Sequence, residues 1–165
     1  MAAGEKPKGS VLEDPQSVEA VRGASAYPPP FDQIVAGRTR RRIGDALGLT
    51  HFGVNLTTLE PGTYSSARHW HALEDEFVYV IEGEVTLITD TGEKTLRPGM
   101  AAGFPAGSPD GHTIVNRGDR PATILEVGDR RPGEQVTYPD IDLHLRWTPI
   151  LTHKDGTPYP PPKRR

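Results

Sequence analysis

An all-β fold, a barrel or sandwich of short strands, is what this 165-residue chain predicts. Between Thr50 and Val127, short runs rich in Val, Ile, Thr and Phe are separated by turn signals such as Pro61-Gly62, Glu82-Gly83 and Arg97-Pro98-Gly99. Short strands at this spacing suit a barrel or sandwich. The composition agrees: 17 prolines and 18 glycines stand beside only 35% hydrophobic residues, a mix that favours strands and turns over long helices. The length suits one domain with a real core.

Residues 1–30 read as an extended or partly disordered N-terminal arm. Met1 to Ser10 is small, charged and poor in apolar side chains. Val11 to Val21, broken by Pro15, predicts one helical turn or a short strand. Tyr27-Pro28-Pro29-Pro30-Phe31 is expected to be extended, because each proline fixes its own φ and restrains the residue before it. Such an arm can drape over a barrel or a partner subunit.

Residues 31–130 form the predicted barrel. The densest charge is Arg38-Thr39-Arg40-Arg41-Arg42. Its first reading is a solvated strand or loop paired with acidic groups. Its functional reading is a patch for a phosphate or carboxylate. Gly44 to Leu49 predicts a turn or short helix. Phe52, Val54, Leu56 and Thr58 then alternate with His51, Gly53, Asn55 and Thr57, a period of two. Further strands are expected over Glu76–Ile81, Glu84–Thr89, Lys94–Leu96, Met100–Phe104, His112–Asn116 and Ala122–Val127, with a stiff Pro/Gly/Ser loop over Pro105–Gly111. Residues 131–165 read as a C-terminal extension packing on the barrel. Tyr138–Leu143 is a candidate edge strand, Trp147 requires apolar cover, and Tyr159–Arg165 is expected to fray.

A net charge of −3 gives no general attraction to nucleic acid or anionic membranes, and no helix-turn-helix pattern accompanies the arginine run. With no cysteine there is neither a disulfide nor a thiolate ligand. No secretory signal or membrane-spanning window is read, so a cytoplasmic protein is expected.

The chemistry centres on His69-Trp70-His71 and Glu76. In a strand, residues two apart share a face, so both imidazoles can point at one place. Two imidazoles and a carboxylate suit a divalent metal of intermediate hardness, and His112 is a fourth candidate. The pattern His69-x-His71, four residues, Glu76, six residues, Gly83 resembles the first motif of the cupin superfamily. Gly99, five residues, Pro105-Ala106-Gly107, then His112, three residues and Asn116 resembles the second. The resemblance spans roughly Leu49 to Val127. Two spacings depart from it: six residues lie between Gly62 and His69 where five are usual, and four between Gly107 and His112 where two are usual. The second departure lengthens the loop that delivers His112.

The resemblance implies a single jelly roll, or double-stranded β-helix. It implies one divalent transition metal (Mn, Fe, Ni, Co or Zn) on His69, His71, Glu76 and His112. Strand parity then turns Val78, Val80, Ile114 and Asn116 inward. Phe77, Tyr79 and Ile81 turn outward, under apolar cover of their own. Trp70 is expected to face away from the metal, and His51, His144 and His153 to be surface or hydrogen-bonded residues. Glu74 and Asp75 are nearby acids, read as solvated or as orienting a ligand imidazole and not as ligands. Glu126, mid-strand, needs a partner if buried, and Arg40–Arg42 can supply it. Small single-barrel cupins similar to this one imply a sugar or sugar-phosphate isomerase-like enzyme acting on a small oxygenated substrate. An iron-dependent dioxygenase and a non-catalytic small-molecule binder are the alternatives. No catalytic base or substrate-binding residue is assigned. A homodimer is expected, paired through an outer sheet face, with Tyr27–Phe31 and Trp70 as candidate contacts.

Overall fold

The structure, a computed structural model, describes residues 9–145 and 151–160. Trp147 and the last five residues lie outside this range, as does most of the start expected to be disordered. The chain begins with a 3-10 turn at Pro15–Ser17, where the Asp14 carboxylate accepts the Gln16 N–H at 2.8 Å. Strand β1 (Val21–Arg22) follows. The Tyr27–Phe31 segment is not extended throughout. It closes a turn in which the Phe31 N–H donates to the Pro28 carbonyl at 2.9 Å, and Pro30 has ψ near 2°. The turn swings Phe31 back onto Tyr159, with ring centroids 6.3 Å apart, so apolar burial overrides the extended preference of the prolines.

Eleven more strands build the body: β2 (Arg38–Arg41), β3 (Phe52–Leu59), β4 (Trp70–His71), β5 (Glu76–Glu82), β6 (Val85–Thr89), β7 (Gly92–Leu96), β8 (Ala101–Phe104), β9 (Thr113–Val115), β10 (Ala122–Asp129), β11 (Val136–Tyr138) and β12 (Leu143–Leu145). A two-residue β13 (Leu151–Thr152) ends the series. Among the described residues the one α-helix, α1, spans Ile43–Ala46. One sheet runs β1-β2-β3-β10-β5-β8. The opposing layer comprises β7-β6-β9 and β13-β12-β11-β4, joined through the bridges Tyr64↔Val115 and His69↔His112. All pairings are antiparallel. This is the expected all-β barrel, and the C-terminal extension joins it by pairing β11 with β4.

The main core lies between the layers and contains Leu59, Val78, Val80, Val85, Leu96, Ile114, Ala122 and Ile124. A second cluster, Ala67, Val136, Tyr138 and Leu143, is covered by Tyr27, Phe31 and Ile34 from the N-terminal arm. Parity puts Val78, Val80, Ile114 and Asn116 inside, as expected. Asn116 is fully buried because its amide pins two loops, donating to the Leu59 and Arg120 carbonyls and accepting from the Gly118 N–H.

The outer face of β5 departs from expectation. Phe77, Tyr79 and Ile81 are 42%, 39% and 45% exposed, so the cover expected for them is not supplied within the described chain. On β3 it is the polar set, Asn55 and Thr57, that shares an inward face with Glu126 of β10, while α1 packs over Val54 outside. Gly44 is required there, since a Cβ would stand 2.8 Å from the Val54 nitrogen. Among the described residues no helix is long and apolar enough to cross a membrane.

Candidate metal centre

β4 and β9 approach edge to edge just where the histidines fall. The His69 N–H donates to the His112 carbonyl at 3.0 Å, and the His112 N–H returns a bond to His69 at 2.8 Å. This reciprocal bridge brings together residues far apart in sequence. The two extra residues before His112 are absorbed in a loop tied down elsewhere. There Asp110 accepts the Asp90 N–H, and Arg68 donates to the Gly111 carbonyl. His71 projects beside His69, their ring centroids 4.9 Å apart. Glu76 opens β5 opposite Gly128 of β10 and Phe104 of β8.

All four predicted residues meet at one point. The Nε2 atoms of His69, His71 and His112 lie 3.4, 3.4 and 2.9 Å from a single oxygen, Glu76 Oε2. Their surroundings fix how the rings present themselves. His69 Nδ1 is 2.9 Å from the Ala67 carbonyl, which can only accept, so the proton belongs on Nδ1 and the Nε2 lone pair faces Glu76. A lone pair opposite a carboxylate oxygen repels unless a proton or a metal ion lies between them. Oxygen plus imidazole nitrogen, with no sulfur, is the donor set of a divalent ion of intermediate hardness. The residues therefore fit such an ion. His112 stacks on Phe104 at 3.6 Å with the rings nearly parallel, and His69 stacks on Tyr138 at 5.7 Å, so packing holds both imidazoles in orientation.

Behind His71 stands a carboxylate pair. Glu74 and Glu134 lie 3.6 and 3.5 Å from its Nδ1. They are not in hydrogen-bond geometry with it, but their charge favours a proton on that nitrogen and frees Nε2 for the centre. Burial pushes the His71 pKa down. Glu76, Glu134 and Glu74 outweigh it, and the group lies above its ordinary value. For His112, burial prevails over the attraction of Glu76 and the pKa falls. Burial raises the Glu76 carboxyl, but the three imidazoles hold it well below the usual carboxylate range.

Sequence reasoning named Glu74 but missed Glu134, which arrives from the C-terminal extension. Glu134 anchors itself by accepting the Ala72 and Leu73 N–H groups at 2.8 and 2.9 Å. Asp75 turns away to accept the Ala106 N–H. Trp70 and the Pro105 loop flank a small cleft on the far side of His71 and His112. His51 is exposed, His153 sits 2.6 Å from Asp142, and His144 lies across from Thr137 on β11.

The centre forms one wall of a cavity of about 310 Å³. From the opposite sheet come Arg38, Arg40, Asn55 and Glu126. Arg40, one of the expected partners of Glu126, pairs with its Oε2 at 2.8 Å, and Thr57 donates to the same oxygen at 2.6 Å.

Residues 55–128 match the family model for the cupin domain. No curated protein matches the sequence. The fold is similar to a crystal structure of a cupin-superfamily sugar phosphate isomerase from Silicibacter pomeroyi, with 46% identity, TM-score 0.82, and 93% and 97% of the two chains covered. A provisionally named sugar phosphate isomerase from Acidithiobacillus ferrooxidans is similar at 33% identity and TM-score 0.67, covering 72% and 77%. The polyketide cyclase of Streptomyces resistomycificus shares the fold alone, at 23% identity and TM-score 0.60 over 80% and 87% of the chains.

Proposed function

This chain belongs to the cupin superfamily, and from that premise we propose that it is a divalent-metal-dependent isomerase acting on a sugar or sugar phosphate. The observation that carries the reading is the convergence of His69, His71, His112 and Glu76 on the wall of a polar cavity. Four protein ligands leave one or two positions for substrate oxygens, as a catalytic site requires. When bound, the ion supplies Lewis-acid polarisation of a carbonyl or hydroxyl oxygen. The remaining chemistry falls to the chain. Interconverting an aldose and a ketose requires a base that moves a proton between adjacent carbons. Glu126 is the candidate: Arg40 and Thr57 both engage Oε2, and among the described residues Oε1 takes no hydrogen bond. The similarity to proteins named sugar phosphate isomerases supports the substrate class.

The test is an aldose–ketose interconversion assay on a panel of sugars and sugar phosphates, with protein reconstituted in turn with manganese, iron, nickel, cobalt and zinc. Activity that a chelator abolishes and the metal restores is expected. Glu126→Gln is expected to lower kcat by about 100-fold or more with little change in KM. Oxygen consumption by the iron form without isomerisation would point to a dioxygenase instead. Ligand binding unaffected by metal removal, with no turnover, would point to a binding module.

The open face of β5 bears on assembly. Phe77, Tyr79 and Ile81 line up on one side of the strand, next to Leu125 and Val127 of β10. In a homodimer, a second copy would cover this face. Tyr27 packs at 90° against Tyr138 of its own chain, and Phe31 against Tyr159, so the sheet face carries the proposed contact instead of the arm. Light scattering is expected to give twice the chain mass, and Tyr79→Glu to give monomer. A wild-type monomer at micromolar concentration would refute the dimer.

A further inference from the structure

Arg38 is the most deeply placed cation of the cavity, 6% exposed at the start of β2. Its guanidinium donates to the carbonyls of Ser65 and, at 2.6 Å, of Ala24. Among the described residues no carboxylate lies within ion-pair distance of it. A buried charge held only by neutral acceptors is unusual, because desolvation is offset best by an opposite charge. Those two carbonyls fix the fork and use two of its five N–H donors. Burial, with Arg40 close by, pushes its pKa down to about 10, so it stays charged near neutrality.

Arg40 is two residues along the same strand and lines the same cavity. Its charge is answered by Glu126 in direct contact, whereas Arg38 has no such partner; Glu76, the other carboxylate of this wall, is engaged by the three imidazoles. Of the other charged lining residues, Arg130 is paired with Asp45 at 2.5 Å, and Asp129 with Arg131 at 3.2 Å. They do not supply the missing counter-charge. Tyr27, Ser65 and Ser66 bring hydroxyl-bearing side chains to the same lining.

We infer that Arg38, with Arg40 beside it, is the anion-holding pole of the cavity and takes the phosphate of a small phosphomonoester whose other oxygens reach the His/Glu centre. The inference rests on the isomerase reading for its substrate, but the pole itself is a property of the apoprotein. A planar guanidinium matches a phosphate bidentately, and its strength is multiplied in a dry site. Placing the phosphate at Arg38 leaves the sugar to reach Glu126, which Arg40 holds, and the histidines.

The test titrates inorganic phosphate into chelator-treated, metal-free protein, following the Arg38 Nε–H resonance by NMR and the affinity by calorimetry. The Arg38 signal is expected to shift saturably. Arg38→Gln is expected to weaken phosphate by about tenfold or more, while the surface variant Arg117→Gln leaves it unchanged. An unmoved Arg38 signal, or equal phosphate affinity in Arg38→Gln, overturns the pole. If Arg38→Gln fails to fold, the wild-type resonance decides. Acetate binding as tightly as phosphate overturns the phosphomonoester assignment. Phosphate shifting Arg38 in a protein that isomerises no sugar phosphate supports the pole and overturns only the enzymatic reading. Isomerisation with an unmoved Arg38 signal does the reverse.

Discussion

The double variant His69→Ala, His71→Ala is expected to bind a divalent transition metal at least about 100-fold more weakly than the wild type, and to lose turnover with it. Removing two of the three Nε2 atoms leaves Glu76 with His112 alone, and two protein donors do not make a stable site for these ions. The fold should survive. Neither histidine belongs to either apolar cluster, and the bridge between His69 and His112 is made by backbone atoms. Far-UV circular dichroism beside a competition titration with a metal-binding dye separates the two effects. Unaltered metal affinity in a folded variant would place the ion elsewhere.

Gly83→Ala is expected to destabilise the fold by about 2–4 kcal/mol, the sum of a left-handed backbone penalty and an overpacking cost. Gly83 has φ +78°, and a Cβ built on it would stand 2.8 Å from both Cα and Cβ of Ala122. Ala122 is fully buried beside Leu59 in the main core, so it cannot retreat without disturbing β10. Urea unfolding measures the loss. Gly62→Ala supplies the contrast: it has the same φ but open space around it, and should cost only the backbone share, about 1–2 kcal/mol. Equal losses in the two variants would remove the packing argument.

The centre was legible because strand geometry is periodic. His69 and His71 share a face by parity, and Glu76 opens a strand whose inward set, Val78 and Val80, is apolar. Parity alone could not bring His112 to them, since that needs the backbone bridge across β4 and β9, and the resemblance to cupins supplied the order. Glu134 left no local signal: a glutamate in a glycine-bearing turn looks solvated until β11 docks on β4. The arginine run carried an anion-patch reading that stood second to a solvated strand. Arg38 and Arg40 are two apart, so one strand face carries both, and that face turns inward. The proline segment misled for the opposite reason. Its local preference is extended, but burying Phe31 against Tyr159 favours a turn. Phe77, Tyr79 and Ile81 are expected to be covered because a strand apolar on both faces reads as covered on each side, but the described chain leaves this face open.

The central claim is that three imidazoles and one carboxylate hold a single divalent ion. The most direct measurement is the element-resolved metal content of the protein as purified, and after incubation with manganese, iron, nickel, cobalt and zinc, beside the His69→Ala, His71→Ala variant. About one transition metal per chain in the wild type, absent from the variant, is the predicted result. No metal in the wild type under any of these conditions would contradict it and leave a cupin barrel without metal chemistry.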